Sequence, residues 1–532
     1  MHYQTKIMPQ WLRFVLIIVI VLSIFFRLSN IDRKVYWHDE VFTSLVISGY
    51  TLAEVNQEID NGAVINAQDL QKYQHSNPER GVIKTVSSLA IDEAQLPPLY
   101  FVMVKLWVNL FGNSITTIRS LSVILGLLIL PGIYWLCLEL FESSTVAWIA
   151  VALIAASPFQ VLCGQEARMY SLHALNIVLS SASLLKATRL PTKLNWLIYV
   201  ATIILGIYTH LLFSLVLAVH GFYVLINYGL KSRKIFLTYL ISSLVGLLFF
   251  VPWLIVMTIR IPIINSKLNW LTETTPLFKI IINWVINFSR TLVDLKSNTN
   301  LEQPVDYIYW LIVSGLSLLL LMYAVYYLYR NSSKKEFYFI LLLMVVPALS
   351  LAVPDLLLGG SRSTHIRYAI ATYLGCNLAF AHLFAMNIVV NPNKLDKKQQ
   401  SLWSFLLMIV ISLGLISSVV NLQQYSWWNK YLSSDNLPIS RVINPERSSI
   451  VICTECTMGM GFGNLVSLSY HLNNQVKIQL FKQLDLAKIP ENFEPVFVFN
   501  PSPALQEEIQ SKSNLKLENL YQNNLSLWQL KQ

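Results

Sequence analysis

Two adjacent carboxylates, Asp39 and Glu40, stand in the stretch "VYWHDEVFTSL", directly after the first long apolar run of the chain. An acid pair at that place can do no more than solvate a helix end. A carboxylate at a hydrophobic boundary can also gain basicity, since partial desolvation and a neighbouring acid both disfavour its charge; such a group takes a proton from a hydroxyl nucleophile. Tyr36 and Trp37 favour an interfacial position for it. A second acid pair, Asp92 and Glu93, ends the same polar loop in "IDEAQLPPLYFVMVKLW", where Pro97 and Pro98 stop one helix and fix the angle of the next. An acid pair therefore guards each mouth of one large loop.

Three further clusters carry groups that bind anions. "SPFQVLCGQEARMYSLHAL" holds Gln165, Glu166, Arg168 and Tyr170 between two apolar runs. Arg168 either pairs with Glu166 locally or faces a lipid phosphate, which a guanidinium fits well. His210, after Thr209, interrupts an apolar run where an unpartnered ring would be costly. "GGSRSTHIRYAIATYLG" brings Arg362, His365, Arg367 and Tyr368, and both arginines are candidates to clamp a phosphate.

The elements that must position these groups follow from composition. Of 532 residues, 55% are hydrophobic and 13% charged, and mean hydropathy is +0.52. A soluble domain does not have that balance; an α-helical polytopic membrane protein does. Eleven apolar runs lie at 12–29, 97–112, 118–138, 144–161, 170–187, 195–229, 235–258, 306–329, 336–354, 365–390 and 402–420. The first lacks a small-residue cleavage site and reads as a retained anchor. The formal charge of +10 is topogenic and gives no sign of a nucleic-acid partner, because the basic residues cluster in short loops. Lys231, Arg233 and Lys234, then Arg330, Lys334 and Lys335, then Lys394, Lys397 and Lys398 are an even number of runs apart and share the cytoplasmic side with Lys6 and Arg13. The outer loop 30–96, the second outer loop 259–305 and the tail are then outside, with the N-terminus inside. Lys186, Arg189 and Lys193 dissent if every run crosses once. They agree if 195–229 crosses twice, turning at Tyr208–His210, while one earlier run is re-entrant.

Residues 1–421 form the membrane domain on this reading, and 422–532 a small α/β domain outside it. "SIVICT", "VKIQLF" and "EPVFVFN" have strand character, with helical stretches near 464–472 and 502–511. Cys453 and Cys456 form a local disulfide or stay as two thiols at a strand end; no second ligand pair follows at zinc spacing, and His471 stands alone. Gly459, Gly461 and Gly463 mark a turn rather than a nucleotide-binding fingerprint.

The order "WHDE" after the first run, "LPPLYF", "SPF…QEARMYSL", "YTH", Pro252-Trp253 and a late "RY" resembles the GT-C glycosyltransferases, specifically bacterial relatives of the protein O-mannosyltransferases and of the lipid A aminoarabinose transferase. The resemblance covers about residues 10–390 and leaves out the C-terminal segment. It implies a GT-C fold of about eleven to thirteen membrane helices. It also implies inverting transfer of a hexose or pentose from a polyprenyl-phosphate carrier to a hydroxyl of a lipid, glycan or protein, outside the cell membrane. In that scheme Asp39 is the general base with Glu40 beside it, and Glu93 is the second acid. Arg168, Tyr170, His210, Arg362, Arg367 and Tyr368 are the substrate-binding candidates. Family members often have His before the double proline, where this chain has Gln95-Leu96. A divalent metal is an open alternative, since carboxylates are plentiful. The competing function is a transporter or flippase of lipid-linked sugars, which would place charges in mid-span and show repeated halves.

Overall fold

The computed structural model describes residues 10–229, 231–297, 304–388, 397–457, 459–482, 488–490, 493–512 and 515–531. Lys6 and Lys394 lie outside them. The chain is mostly helical. Gln10–Leu28, Ile115–Phe141, Val305–Asn331, Lys334–Leu358 and Lys397–Ser433 are long and apolar enough to cross a membrane. Two bent pairs add to these, Ser144–Ala156 with Pro158–Gly164 (65°) and Arg233–Leu248 with Val251–Ile259 (50°). Both bends fall where Pro158 or Pro252 removes a helical donor. Phe14, Ile17, Leu311, Leu319 and Met322 stand bare on the outer faces, as hydrocarbon permits and water does not. The protein is integral to a membrane.

Contacts between helix ends settle which runs pass through the bundle. The run 195–229 is two helices, Lys193–Ile207 and Phe213–Tyr228. Asn176, near the start of Tyr170–Arg189, donates to Thr209 Oγ1 (2.9 Å), while His220 meets Ser181 (3.2 Å) and Tyr199 (3.0 Å) further down. The two helices therefore run antiparallel about a turn at 208–212. Gly206 permits that turn, because a Cβ there would lie 2.4 Å from the Phe213 ring. The run 97–112 behaves differently from expectation. Its helix, Leu99–Phe111, meets Tyr208 O through Leu99 N (3.1 Å) at one end and Ser76 of the first loop through Asn109 (2.7 Å) at the other. It thus lies alongside the loop and does not traverse the bundle. Arg189 pairs with Glu139, and Lys335 donates to Tyr228 (3.2 Å), at the end far from Asp39. The dissenting cluster Lys186–Lys193 thereby joins the other basic loops.

Above the helical layer lies a six-stranded sheet. Its strands are β1 (Val64–Asn66), β2 (Ile450–Cys453), β3 (Lys477–Leu480), β4 (Val496–Phe499), β5 (Lys516–Gln522) and β6 (Ser526–Lys531), in the order β1-β3-β2-β4-β6-β5. β2 is parallel to β3 and β4; the other pairings are antiparallel. The three expected strands are β2, β3 and β4, and the expected helices are Gly459–Ser469 and Pro503–Lys512. β1 comes from the first loop, so that loop and the tail share a sheet. They also share a core, in which Val41, Phe42, Leu45 and Val55 pack with Ile439, Phe462, Leu465 and Val466. Cys453 and Cys456 are joined by a disulfide.

Candidate active site

The helix His38–Ser48 begins where Trp37 turns extended, and it carries Asp39 and Glu40 in its first turn, where the positive end of the helix dipole favours acids. Arg119, near the start of Ile115–Phe141, fixes the approach to this helix. Its guanidinium donates to the carbonyls of Ile31 (2.6 Å), Lys34 (3.1 Å) and Val35 (2.9 Å), and to both oxygens of Glu40 (2.8 and 2.6 Å). Lys430 adds a bond to Glu40 Oε2 (2.7 Å) and the Ala167 amide one to Oε1 (2.8 Å). Glu40 and Arg119 are both 0% exposed. Burial would raise the Glu40 carboxyl; Arg119 and Lys430 outweigh it and bring it down to about 2.

Asp39 faces the other way and stays partly open, with its side chain 14% exposed. Arg367 Nη1 donates to its Oδ2 at 2.9 Å. Arg168 Nε lies 3.8 Å from the same oxygen, and Arg168 Nη1 donates to Asp39 O at 3.2 Å. His38 Nδ1 is 3.1 Å from Oδ1. Burial acts to raise the Asp39 carboxyl, but Arg168 and Arg367, with His38, hold it well below the usual carboxylate range. Arg168 therefore pairs with Asp39 and not, as the local salt bridge required, with Glu166. The Arg367 guanidinium sits 5.6 Å from the Trp37 ring and 5.5 Å from that of Tyr170, in reach of cation–π attraction. Tyr170, His210 and Tyr368 form one aromatic wall, with His210 6.4 Å from each of the other two rings.

Glu93 joins this region through an intermediary. It accepts from Lys267 (2.9 Å) and from Gln95, and the Lys267 ammonium lies 5.3 Å from the Phe42 ring on the flank of the Asp39 helix. Arg362 is directed elsewhere. It donates to Asp355 (3.0 Å) and Gly359 O (3.1 Å) and so closes its own loop. Arg119, Lys430 and Lys267 were not among the sequence candidates, and neither was Glu166 as a site residue. Glu166 is 4% exposed; Asn429 reaches its Oε2 only at 3.5 Å, and Oε1 has no hydrogen-bond partner among the described residues. Burial pushes its carboxyl up to about 7, and the charges of Lys430 and Arg367 only partly offset this.

Among the described residues, no group of three or more His, Cys, Asp or Glu side chains is placed to hold a metal ion. The open carboxylate at the site's centre is matched by cations of the chain itself. The arrangement offers one accessible base, two guanidiniums beside it and an aromatic wall. That set can deprotonate a hydroxyl and stabilise an oxyanion.

Residues 95–256 match the family described as dolichyl-phosphate-mannose-protein mannosyltransferase. No curated protein matches the chain in sequence. Among solved structures, ArnT from Cupriavidus metallidurans bound to undecaprenyl phosphate is 12% identical with a TM-score of 0.52, over 98% of this chain and 98% of that one. The same protein in its apo state is 13% identical with a TM-score of 0.50, over 97% of each. The arabinofuranosyltransferase AftD from Mycobacteria is 10% identical with a TM-score of 0.50, over all of this chain and 40% of that one. The likeness to ArnT extends through the C-terminal domain, which corrects the expected limit near residue 390. The chain is an integral membrane protein whose fold is similar to that of ArnT, and over residues 95–256 it resembles the dolichyl-phosphate-mannose-protein mannosyltransferases.

Proposed function

We propose that the protein transfers a sugar from a polyprenyl-phosphate carrier to a hydroxyl acceptor, with inversion, and that Asp39 is the general base. The observation that carries this reading is the partly open Asp39 carboxylate facing Arg367 and Arg168. In the step proposed, Asp39 takes the acceptor's proton as its oxygen bonds to the anomeric carbon. The bond from that carbon to the phosphate oxygen breaks, and its electron pair leaves with the polyprenyl phosphate. A phosphate needs little protonation to leave, so a base and a positive clamp suffice. Arg367 and Arg168 serve both partners. Paired with Asp39 they suppress its basicity; drawn to an incoming phosphate, they release it. Tyr170, His210 and Tyr368 form a wall for the sugar or the carrier head, and Glu93 orients Lys267 at the rim.

Glu40 has a different part in this scheme. With both oxygens taken up by Arg119, Lys430 and Ala167, it is a positioning residue that holds the Asp39 helix in place. The basic loops gather at the end of the bundle away from Asp39, which supports a cytoplasmic assignment for that end and an extracytoplasmic one for the site.

The test is purified protein in nanodiscs with a panel of undecaprenyl-phosphate hexoses and pentoses, with cell-envelope extract as acceptor. Label should move to an acceptor, and a deletion strain should lack the corresponding glycan or lipid by mass spectrometry. In proteoliposomes, where the two leaflets face separate compartments, movement of the intact lipid-linked sugar across the bilayer with no new glycosidic bond would replace the transferase with a flippase.

A further inference from the structure

The C-terminal domain reaches the acid pair directly. Its helix Gly459–Ser469 lies on the helix His38–Ser48, with the Phe462 and Phe42 ring centroids 6.2 Å apart. Gly463 presses on His38: a Cβ at that position would lie 3.0 Å from His38 Cδ2, 3.1 Å from its Cβ and 3.3 Å from its Cα. These last two atoms belong to the stem and backbone of the residue and cannot swing aside, so an alanine at 463 requires the helix turn to give by a few tenths of an ångström. The next residue, Asn464, accepts from Ser433 Oγ (2.7 Å), and Ser433 Oγ accepts from the His38 backbone N–H (3.1 Å). Asn436 braces this chain by donating to Ser467 Oγ (2.7 Å) and Asn464 O (3.3 Å). Ser433, Asn436 and Asn464 are all buried. Lys430, three residues before Ser433, holds Glu40 from the other side. Lys430, Ser433 and Gly463 thus grip both neighbours of Asp39, His38 before it and Glu40 after it.

We infer that the C-terminal domain is a working part of the transfer site, in which Gly463, Asn464 and Ser433 are positioning residues that set His38 and, through it, the direction of the Asp39 carboxylate. The inference rests on Asp39 being the base. A base must meet the acceptor hydroxyl within a narrow range of distance and angle, and a displacement of about 1 Å costs on the order of a hundredfold in rate. Only glycine leaves the His38 turn where it is. An alanine there moves the carboxylate without touching substrate, so the loss falls on turnover and spares donor binding.

The experiment compares full-length wild type, Gly463→Ala, Ser433→Ala, His38→Ala and the Gly463→Ala/His38→Ala double variant in nanodiscs. The readouts are kcat and donor KM with the undecaprenyl-phosphate sugar that wild type uses, undecaprenyl phosphate binding, and the melting temperature. Gly463→Ala should lower kcat about three- to tenfold with donor KM within about twofold, since the shift is a fraction of the ~1 Å that costs about a hundredfold. The double variant should keep the Gly463→Ala loss, because the Cβ and Cα that the added methyl meets remain when His38 becomes alanine. Ser433→Ala removes the acceptor for His38 N–H without adding bulk and should show the same split, even if Gly463→Ala folds poorly. Folded Gly463→Ala and Ser433→Ala with kcat close to wild type would overturn the positioning role and leave the transferase reading intact. A wild type that transfers from no donor would sink the transferase reading itself.

Discussion

Arg367 and Asp39, 328 positions apart in the chain, are joined by a hydrogen bond of 2.9 Å from Nη1 to Oδ2. The bond closes the first loop onto the turn before Ile370–Ile388 and gives the open carboxylate a cation that a phosphate can compete for. If Arg367 also holds the carrier phosphate, its loss removes a charge-assisted contact of about 1.5–3 kcal/mol, or ten- to a hundredfold. Arg367→Ala should raise the donor concentration at half-maximal rate by that factor. Arg367→Lys should rescue only partly, since an ammonium keeps the charge and loses the fork. A donor titration of the three proteins checks this, and an unchanged curve in Arg367→Ala returns the residue to a purely structural role.

Glu40 should be a stability residue. Removing one member of a buried, hydrogen-bonded pair costs about 3–5 kcal/mol, and the Arg119–Glu40 pair is 0% exposed on both sides. Glu40→Gln should therefore melt well below wild type in detergent. Its carboxyl sits at about 2, below the unfolded value, so the stabilisation is complete above about pH 4.3 and fades only as pH falls through the folded value. A Glu40→Gln protein as stable as wild type at pH 7 would contradict this.

Glu166 predicts the opposite pH response. The native protein keeps this proton up to about pH 7, whereas the unfolded chain releases it near pH 4.3. Between those values the native state binds more protons, so stability falls as pH rises, by on the order of 3 kcal/mol. The melting temperature of wild type relative to Glu166→Gln should decline from pH 4.5 to 7 and then level off. A constant difference across that range would place the carboxyl at its ordinary value.

Topology is checked independently of activity. A reporter fused after residue 421 should read as external, and one inserted between 391 and 400 as cytoplasmic. The reverse pattern would put Asp39 on the cytoplasmic face.

Much of this was legible in the sequence. Runs of apolar residues mark the helices, and the motif order pointed to Asp39, Arg168, Tyr170, His210, Arg367 and Tyr368, which the fold gathers into one place. The double passage of 195–229 was visible as an alternative because "YTH" interrupts the run, yet only the Asn176–Thr209 and Ser181–His220 contacts decide it. Hydropathy could not reveal that Leu99–Phe111 lies along the loop, since a helix packed on protein is as apolar as one packed on lipid. β5 escaped notice because a register shift between Asn519 and Tyr521 breaks its two-residue alternation; β6, whose register with β4 is unbroken, was missed as well. Arg119 carried a usable signal: a lone arginine early in an apolar run requires an acid partner, and Glu40 was the nearest in kind. Lys430 and Gly463 carried none, because their partners lie some four hundred residues away in the chain.

The most direct measurement is single-turnover transfer by purified Asp39→Asn alongside its affinity for undecaprenyl phosphate. Loss of the base should slow transfer by on the order of 10²–10⁴. Affinity for the lipid phosphate should hold or rise, because Arg367 and Arg168 no longer have a carboxylate to satisfy. Near-normal transfer by a folded Asp39→Asn protein would contradict the assignment of Asp39 as base.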